Sequence, residues 1–563
     1  MADQYAVKGP QNPIRRVLRV LKLEKKEITA VYFYAILNGL IQLSLPLGIQ
    51  SIISFVLGGS ISTSLVILIV LVVAGVLFNG MVQVNQMKII EKVQQKIFVR
   101  YAFEYASRIP RLDLKAVDSY YLPELVNRFF DTVSLQKGIS KLLLEIPTAT
   151  IQIFFGLLLL SFYHPVFIAF GVLLVVIGYL VLYYTGARGL ETSFRESQYK
   201  YRVAAWLEEL ARVVKSFKFS KGFSLNLRRT DKLVENYLNS RTSHFRILLF
   251  QYWTLIIFKV VITAVMLIVG SILLINQQLN IGQFIAAEIV ILLVINSVEK
   301  LIINLDKVYD VLTSVDKLGK VIDKPLEQDG NILLAETGKG VTVQVHDLTF
   351  VYDKKPVLNK VSFSAQAGEK ICIMGADGSG KSSLLRVLTG VYPDFEGSVS
   401  IDNIPIRNYN AASFRQQTGI MLSQQDIFEG TLLENITMGH DSIYPGQIME
   451  LADKISLRNF LEEQEQGFNT LLDPAGKRLS RTIIQKILLL RALISNPRLL
   501  LLEEPWLGLD EECKAKIKEY LLYGTPGSTV FVISNEEAFA GQCDAVLYLE
   551  EGELKSFKRN KQS

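Results

Sequence analysis

The sequence predicts a multi-domain membrane protein in which an all-α region with six membrane-spanning helices precedes an α/β domain. Long apolar runs with few charged residues dominate positions 28–298. Further along the chain, short apolar segments alternate with helical patterns, as in a layered α/β domain. Hydrophobic residues make up 50% of the chain and charged residues only 20%, below the roughly 25% of an average soluble domain.

Six apolar runs are long enough to cross a bilayer, which takes about 20 residues of helix. The fifth run contains Lys259 and the sixth contains Glu288. Ionisable residues at this depth are costly, so we expect these two to pair with each other, face a water-filled cavity or contact substrate. The predicted spans are residues 28–57, 61–87, 146–163, 166–187, 247–275 and 281–298.

The basic residues lie between alternate spans. Lys and Arg number ten in residues 88–145, thirteen in residues 188–246 and seven in the first 27 residues, whereas the short gaps at 58–60, 164–165 and 276–280 contain none. The positive-inside rule therefore predicts that both termini and both long gaps lie in the cytoplasm, with the chain in the cytoplasmic membrane. This pattern accounts for the net charge of +6 without nucleic-acid binding.

The two long gaps have few Gly or Pro residues and show helical periodicity. Each predicts a helical hairpin with arms of roughly 40 Å, which turn near Val117 and Phe217. Before the first span, residues 1–27 predict an interfacial helix on the inner leaflet, because its apolar residues recur at helical spacing. A partner-binding helix is the alternative. The residues of this apolar face are Ile14, Val17, Leu18 and Leu21.

The composition changes after Leu318, where the predicted membrane domain of residues 28–318 ends. Residues 319–340 are polar and contain glycine, which indicates a linker. Residues 341–563 form the predicted α/β domain, with strands expected at 341–345, 361–364, 370–374 and 499–502.

The strongest motif, GADGSGKS at residues 375–382, matches GxxxxGK[ST] between an apolar strand and a helical run, as a P-loop requires. Its glycines let backbone N–H groups wrap phosphate oxygens. Lys381 can reach the β- and γ-phosphates, and the Ser382 hydroxyl can bind Mg²⁺. The motif predicts binding of ATP with Mg²⁺. The predicted cradle residues are Gly375, Ala376, Asp377, Gly378, Ser379, Gly380, Lys381, Ser382 and Ser383.

A second motif places two carboxylates after four leucines, at Glu503 and Glu504. The leucines predict a buried strand, and the carboxylates emerge at its end. One carboxylate can hold Mg²⁺ and the other can orient an attacking water, as in P-loop ATPases. Together with the P-loop, the pair predicts an ATPase.

These motifs, in this order after six spans, resemble the ABC transporter family in its half-size exporter arrangement, over about residues 12–555. The resemblance implies that Tyr352 stacks on adenine, that Glu503 takes the Walker B position and that Glu504 is the catalytic base. Asp510 matches the family's D-loop aspartate. Residues 282–286 resemble the start of the sixth span of such exporters, and the tips of the long gaps resemble coupling helices.

The family's signature motif departs from its consensus in this chain. LSGGQ aligns with Leu479, Ser480, Arg481, Thr482 and Ile483. Members of the family form dimers in which each ATP lies between the P-loop of one subunit and the signature of the other. Arg481 and Thr482 add side chains where the family has glycine, although a guanidinium can itself bind phosphate.

Two further positions depart from the family pattern. The Q-loop glutamine aligns with Ser423, beside Gln424 and Gln425, which could compensate. The switch histidine aligns with Asn535, whose amide cannot act as an acid or base near neutral pH. Loss of one transition-state contact can lower a rate by about 10²–10³. We therefore expect ATP binding with slow hydrolysis by this chain alone.

Two functions are consistent with these features. In the first, the chain is an ATP-driven exporter subunit, in a homodimer or heterodimer, for a peptide, protein, lipid or small molecule. Alternatively, it is a catalytically impaired ATP-binding regulatory or structural half of a heterodimeric export complex. The spans also resemble those of type I secretion and bacteriocin exporters, which adds a periplasmic adaptor to the partners to be considered.

Overall fold

A computed structural model describes residues 12–59, 63–118, 121–220, 224–352, 355–423 and 425–560. The chain divides into two compact units. The membrane unit comprises Met1–Leu112 and Val117–Pro325, and the C-terminal unit comprises Asp113–Ala116 and Leu326–Ser563.

The first part of the chain is helical throughout its described residues, apart from short connections. The helices are α1 Pro13–Leu23, α2 Lys25–Gln42, α3 Ser44–Leu57, α4 Thr63–Arg108, α5 Leu114–Val117, α6 Leu122–Asn127, α7 Asp131–Tyr163, α8 Val166–Arg212, α9 Val214–Phe219, α10 Ser224–Ile275, α11 Ile281–Ile303 and α12 Leu305–Ile322.

Among the described residues, six helical segments are long and apolar enough to cross a membrane, which confirms the predicted number. They extend well beyond the apolar runs, so α4, α8 and α10 contain 46, 47 and 52 residues. The segments are Lys25–Leu57, Thr63–Arg111, Leu122–Tyr163, Val166–Arg212, Ser224–Ile275 and Ile281–Ile322.

The two long gaps between spans consist of these helical extensions. The short helices α5 and α9 lie at the two turning points, near Val117 and Phe217. Within the membrane unit the extensions pack closely because small residues face large ones. A Cβ atom on Gly189 would stand 2.4 Å from the ring of Tyr309, and one on Gly138 would stand 2.4 Å from Val311. Glycine at these two positions therefore lets α12 approach α8 and α7.

The structure corrects the expected pairing of the two intramembrane ionisable residues. Lys259 forms an ion pair with Glu299, which lies just beyond the predicted sixth span, and not with Glu288. Glu288 Oε1 is buried and has no hydrogen-bond partner among the described residues. The sequence pattern missed Glu299 because that residue follows the last apolar position of the run.

Helix α1 has two different apolar edges rather than the single lipid-facing face that the spacing predicts. Val17 and Leu21 pack into a core shared with α12, whereas Ile14 and Leu18 are 51% and 58% exposed. Arg16 also turns inward and forms an ion pair with Asp323, directly after α12. The helix is thus fixed to the end of the membrane unit, and its outer edge stays open.

The C-terminal unit contains a six-stranded sheet, a four-stranded sheet and a two-stranded sheet. Their strand orders are β12-β11-β3-β10-β9-β6, β2-β1-β4-β5 and β7-β8. The strands are β1 Val343–Tyr352, β2 Lys355–Ala365, β3 Lys370–Met374, β4 Glu396–Ile401, β5 Ile404–Pro405, β6 Thr418–Met421, β7 Gly430–Thr431, β8 Leu471–Leu472, β9 Leu499–Glu503, β10 Thr529–Ile533, β11 Ala545–Glu550 and β12 Glu553–Arg559. The helices are α13 Lys381–Leu388, α14 Ala411–Gln416, α15 Leu432–Thr437, α16 Pro445–Lys454, α17 Arg458–Glu462, α18 Arg481–Leu493, α19 Glu511–Tyr523 and α20 Glu537–Ala540.

The central strands of the larger sheet are parallel and buried on both faces, which explains their uninterrupted apolar sequences. Successive residues point to opposite faces. Leu500 and Leu502 of β9 therefore join one core, and Leu499 and Leu501 join the other. All five strands from β11 to β6 run parallel, so their carboxyl ends meet at one edge of the sheet.

The structure differs from the linker expected at residues 319–340. Helix α12 continues to Ile322, and Leu326 already belongs to the C-terminal unit. Arg498 is buried and donates hydrogen bonds to the carbonyls of Ala335, Lys339 and Gly340 at 2.6–3.2 Å. Polar composition suggested a free linker, but a side chain far along the sequence holds this segment to the domain.

The Arg16–Asp323 pair predicts a measurable loss of stability on substitution. Its side chains are only 14% and 19% exposed, so it lies between the exposed and fully buried classes of ion pair. We expect Asp323→Ala to lower the free energy of unfolding by about 2 kcal/mol, measured by thermal unfolding of the detergent-solubilised protein. Arg15→Ala, which removes an exposed cation of the same helix, is the control. Equal unfolding temperatures for the two variants would contradict this assignment.

Candidate nucleotide-binding site

The predicted phosphate cradle lies at the carboxyl end of β3, between β11 and β10. Its three glycines, Gly375, Gly378 and Gly380, have φ angles of +148°, +80° and +99°. A Cβ atom on Gly375 would stand 2.2 Å from the carbonyl oxygen of Leu549. The backbone thus adopts a conformation that disfavours residues other than glycine. Helix α13 begins directly after the loop, at Lys381.

Two polar side chains of the cradle, those of Lys381 and Ser379, are buried. Lys381 is 8% exposed, and its Nζ donates hydrogen bonds to the carbonyls of Gly375 at 2.5 Å and Ala376 at 2.8 Å. Ser379 is 4% exposed, and its Oγ has no hydrogen-bond partner among the described residues. A buried hydroxyl without a partner is uncommon, and a phosphate oxygen would satisfy it. These residues therefore fit a nucleotide.

The Glu503 carboxylate connects two of the predicted site residues. Its Oε1 accepts a hydrogen bond from the Ser382 hydroxyl, and its Oε2 accepts one from the backbone N–H of Ser423 at 2.9 Å. A hydroxyl and a carboxylate are the oxygen ligands that Mg²⁺ takes beside a phosphate. The donor set thus fits Mg²⁺, and the extra methylene of Glu503 relative to aspartate does not prevent contact with Ser382.

Ser423, the residue aligned with the expected Q-loop glutamine, contacts Glu503 through its backbone and not through its side chain. The side chain of Gln425 turns back to its own loop, where Oε1 accepts from the N–H of Leu422 at 3.3 Å. Gln424 lies outside the described residues. Within the described loop, the contact to Glu503 therefore comes from the main chain of Ser423.

Two loops at the same sheet edge carry Glu504 and Asn535. Glu504 has a φ angle of +46°, which is uncommon for a residue other than glycine. Its N–H donates to the carbonyl of Ile533 at 3.1 Å, and its own carbonyl accepts from Nε2 of Gln485 at 3.0 Å. Asn535 Oδ1 accepts from the N–H of Gly375 at 3.2 Å. The position expected for the switch histidine thus contacts the cradle through an amide.

Other predicted residues lie at the surface of the C-terminal unit. Tyr352 ends β1 and is 42% exposed. Ser480 caps α18, where its Oγ accepts from the N–H of Ile483 at 3.3 Å, and Arg481 is exposed. No described hydrogen bond links the signature segment Leu479–Thr482 to the cradle of its own chain. The resemblance assigns this segment to a partner's nucleotide.

Asp510 caps helix α19. Its Oδ1 accepts from the backbone N–H of Cys513 at 2.9 Å, and this hydrogen bond lowers the pKa of the Asp510 carboxyl. The cap fixes the end of the loop that begins at Glu504.

Sequence reasoning missed Gln485, which holds the Glu504 carbonyl from helix α18. It also missed the aromatic and charged residues that follow Glu504 and Asn535. No local pattern marks these side chains, because their partners lie on other elements of the fold.

Comparisons with known proteins match both parts of the chain. The family model of the ABC transporter transmembrane region covers residues 28–298, and that of the ABC transporter domain covers residues 358–507. A solved structure of a bacterial Atm1-family ABC exporter with ATP bound has the same fold, with a TM-score of 0.82 and 19% sequence identity over 95% of both chains.

Curated relatives match over part of their length. ABC transporter ATP-binding protein YknV of Bacillus subtilis is 27% identical over 293 residues, 52% of this chain and 48% of the relative. The toxin RTX-I translocation ATP-binding protein of Actinobacillus pleuropneumoniae is 29% identical over 295 residues, 52% of this chain and 42% of the relative. The ATP-dependent lipid A-core flippase of Hahella chejuensis is 29% identical over 236 residues, 41% of this chain and 40% of the relative. The chain thus spans less than half the length of these relatives.

The fold and the site define a membrane protein with a fused P-loop nucleotide-binding domain. Because one chain contains both the transmembrane region and the ABC transporter domain, it belongs to the ABC transporter family as a half-size member. The predicted family and fold class are confirmed.

The geometry of the cradle predicts different effects for two glycine substitutions. We expect Gly375→Ala to weaken ATP binding at least about tenfold, because its Cβ would meet the Leu549 carbonyl. Gly378→Ala has open space around the Cβ, so we expect only the cost of its backbone conformation, about 1 kcal/mol. Titration with a fluorescent ATP analogue measures both, with Gly446→Ala as the control. Equal affinities for all three variants would contradict this account of the cradle.

Proposed function

We propose that the chain is an exporter subunit that couples ATP binding and slow hydrolysis to movement of a cargo across the cytoplasmic membrane. The observation that carries the proposal is the contact of Glu503 with Ser382 beside the Lys381 cradle, on a chain with six candidate membrane spans. A Mg²⁺ and triphosphate site on a membrane-embedded chain supports a transport role.

The cradle residues bind and orient the triphosphate in this proposal. Lys381 exchanges its carbonyl partners for phosphate oxygens, because a charged acceptor binds an ammonium more strongly than a neutral carbonyl does. Ser382 and Glu503 would hold a Mg²⁺ ion, which would neutralise charge on the phosphates. Tyr352, exposed at the end of β1, stacks on the adenine.

Glu504 is the proposed base that orients the attacking water. Its backbone is fixed on both sides by Ile533 and Gln485, which suits a residue that must be positioned before the reaction. Asn535 replaces the family's histidine and supplies only hydrogen bonds, so proton movement at this position is absent from the proposed reaction. Ser423 acts through its backbone, and Asp510 shapes the loop after Glu504.

A second subunit completes each site. The segment Leu479–Thr482 is on the surface and has no described hydrogen bond to its own cradle, which supports its use by a partner's nucleotide. The partner is a second copy of this chain or another half-transporter. Exposed Arg481 replaces the family's first signature glycine, and its side chain keeps the backbone of this segment farther from the partner's phosphate, which slows hydrolysis.

The membrane location rests on charge distribution and on α1. The Lys- and Arg-rich gaps and both termini lie in the cytoplasm under the positive-inside rule. The open edge of α1, with Ile14 and Leu18 exposed beside basic residues, suits the inner leaflet. The cargo is a peptide, protein, lipid or small molecule. The names of the relatives, which include a toxin translocator and a lipid A-core flippase, support a toxin or a lipid as the cargo.

A second candidate function is an ATP-binding regulatory half of a heterodimeric complex. Two observations favour it. Asn535 is hydrogen-bonded to the cradle at Gly375, and Arg481 and Thr482 occupy the signature glycine positions. Such a subunit would bind ATP at its own cradle while its partner performs most of the hydrolysis.

The ATPase rate of the purified chain separates these functions. We expect the wild type alone to bind ATP and to hydrolyse it below about one per second, at the low end of typical turnover. Arg481→Gly, Thr482→Gly and Asn535→His combined should raise turnover at least about tenfold, because each restores a transition-state contact worth up to 10²–10³. The triple variant that also carries Glu504→Gln provides the baseline ATPase rate.

Three results would contradict the proposal. Turnover of tens per second by the wild type would exclude slow hydrolysis. Release of the protein from membranes by carbonate washing, or failure to bind ATP with Mg²⁺, would exclude the transporter assignment. If the restored variant stays at the Glu504→Gln baseline while ATP binding persists, the regulatory function is favoured.

A further inference from the structure

Trp506 lies two residues after Glu504 and is almost completely buried, with 4% of its surface exposed. Its indole N–H donates a hydrogen bond of 2.8 Å to Oε1 of Glu536. Its ring packs edge-on against Phe539, with ring centroids 4.7 Å apart. A buried indole usually finds one acceptor for its N–H, and here that acceptor is a carboxylate from another loop.

Glu536 is fixed by two donors although its side chain is 40% exposed. Its second oxygen, Oε2, forms an ion pair with Lys518 of helix α19. The Lys518 ammonium also lies 5.2 Å from the centre of the Trp506 ring, within cation–π range. Three elements therefore meet at one carboxylate: the loop after β9, the loop after β10 and helix α19.

The position of this cluster in the sequence gives it significance. Glu536 directly follows Asn535, and Asn535 Oδ1 holds the N–H of Gly375 in the cradle. Trp506 belongs to the loop that begins at Glu504, and the N–H of Leu507 donates to the Glu504 carbonyl at 3.0 Å. A continuous path of hydrogen bonds and covalent bonds thus runs from the phosphate cradle, through the two loops, to the backbone of Glu504.

We propose that Trp506 and Glu536 are positioning residues for Glu504, and that they transmit the state of the cradle to it. The proposal rests on the assignment of Glu504 as the base. Glu504 has a φ angle of +46°, and such a conformation persists only when its surroundings hold it. When the nucleotide displaces Asn535 from Gly375, Glu536 moves with Asn535 and pulls Trp506 and the Glu504 loop toward their working position.

Kinetics of two substitutions test the positioning role. Trp506→Phe keeps the aromatic contact with Phe539 and removes the donor, and Glu536→Ala removes the acceptor. We expect each to lower kcat about tenfold, which corresponds to about 1.4 kcal/mol, with KM for Mg·ATP changed less than about twofold. Glu536→Gln keeps an acceptor oxygen for the indole and should restore most of the turnover. Glu537→Ala, an exposed neighbour whose side chain has no described hydrogen bond, is the matched control.

Tryptophan emission provides a readout that does not depend on turnover. The chain has three tryptophans, and among them only Trp506 lies in the C-terminal unit, with Trp206 and Trp253 in the membrane unit. The difference between wild-type and Trp506→Phe spectra isolates its signal. We expect Mg·ATP to change this signal in the wild type and in Glu537→Ala. In Glu536→Ala, measured against Glu536→Ala combined with Trp506→Phe, the change should be lost.

Three results would overturn the proposal. The first is wild-type kcat in both Trp506→Phe and Glu536→Ala. The second is a parallel fall of kcat, ATP affinity and unfolding temperature, which would indicate a merely structural role. The third is a change of Trp506 emission on adding Mg·ATP to Glu536→Ala that is as large as in the wild type. Failure of the proposed function would look different, because the wild type itself would then bind no ATP.

Discussion

The parallel register of the central sheet is the constraint on which the C-terminal unit depends. Ile533 of β10 lies opposite Ile373 of β3 on one side and Glu503 of β9 on the other. The cradle, the carboxylate pair and the Asn535 loop therefore leave the sheet at the same edge, although they are far apart in the sequence. Strands β3, β9 and β10 are buried on both faces, and a shift in their register would move Glu503 away from Ser382.

This arrangement brings together two of the residues at which the chain departs from the expected family pattern. Glu503 is longer than aspartate, yet both of its oxygens are engaged, one by Ser382 and one by the Ser423 backbone. A glutamine is absent at position 423, and the main chain provides the contact there. Two of the substituted positions, Glu503 and Ser423, are thus hydrogen-bonded to each other, which is consistent with a site that still binds nucleotide.

The sequence predicted the features that depend on local pattern. Apolar runs predicted the six spans, and spacing alone predicted the strand, loop and helix around Lys381. Features set by distant partners were not predictable in this way. Arg498 holds the expected linker to the C-terminal unit by hydrogen bonds. Lys259 pairs with Glu299 and not with Glu288. Glu536 accepts the hydrogen bond of the Trp506 indole. In each case one partner lies just outside a recognisable segment, where sequence patterns carry little information.

The amide at Asn535 has a consequence for proton balance. An imidazole in the same place would gain or lose a proton near neutral pH, and the strength of its hydrogen bond to the cradle would change with its charge. A carboxamide stays neutral at every physiological pH. The hydrogen bond from the Gly375 N–H to the Asn535 oxygen therefore has the same strength at acidic and at neutral pH. This hydrogen bond therefore holds the cradle with a strength that does not depend on protonation of the side chain.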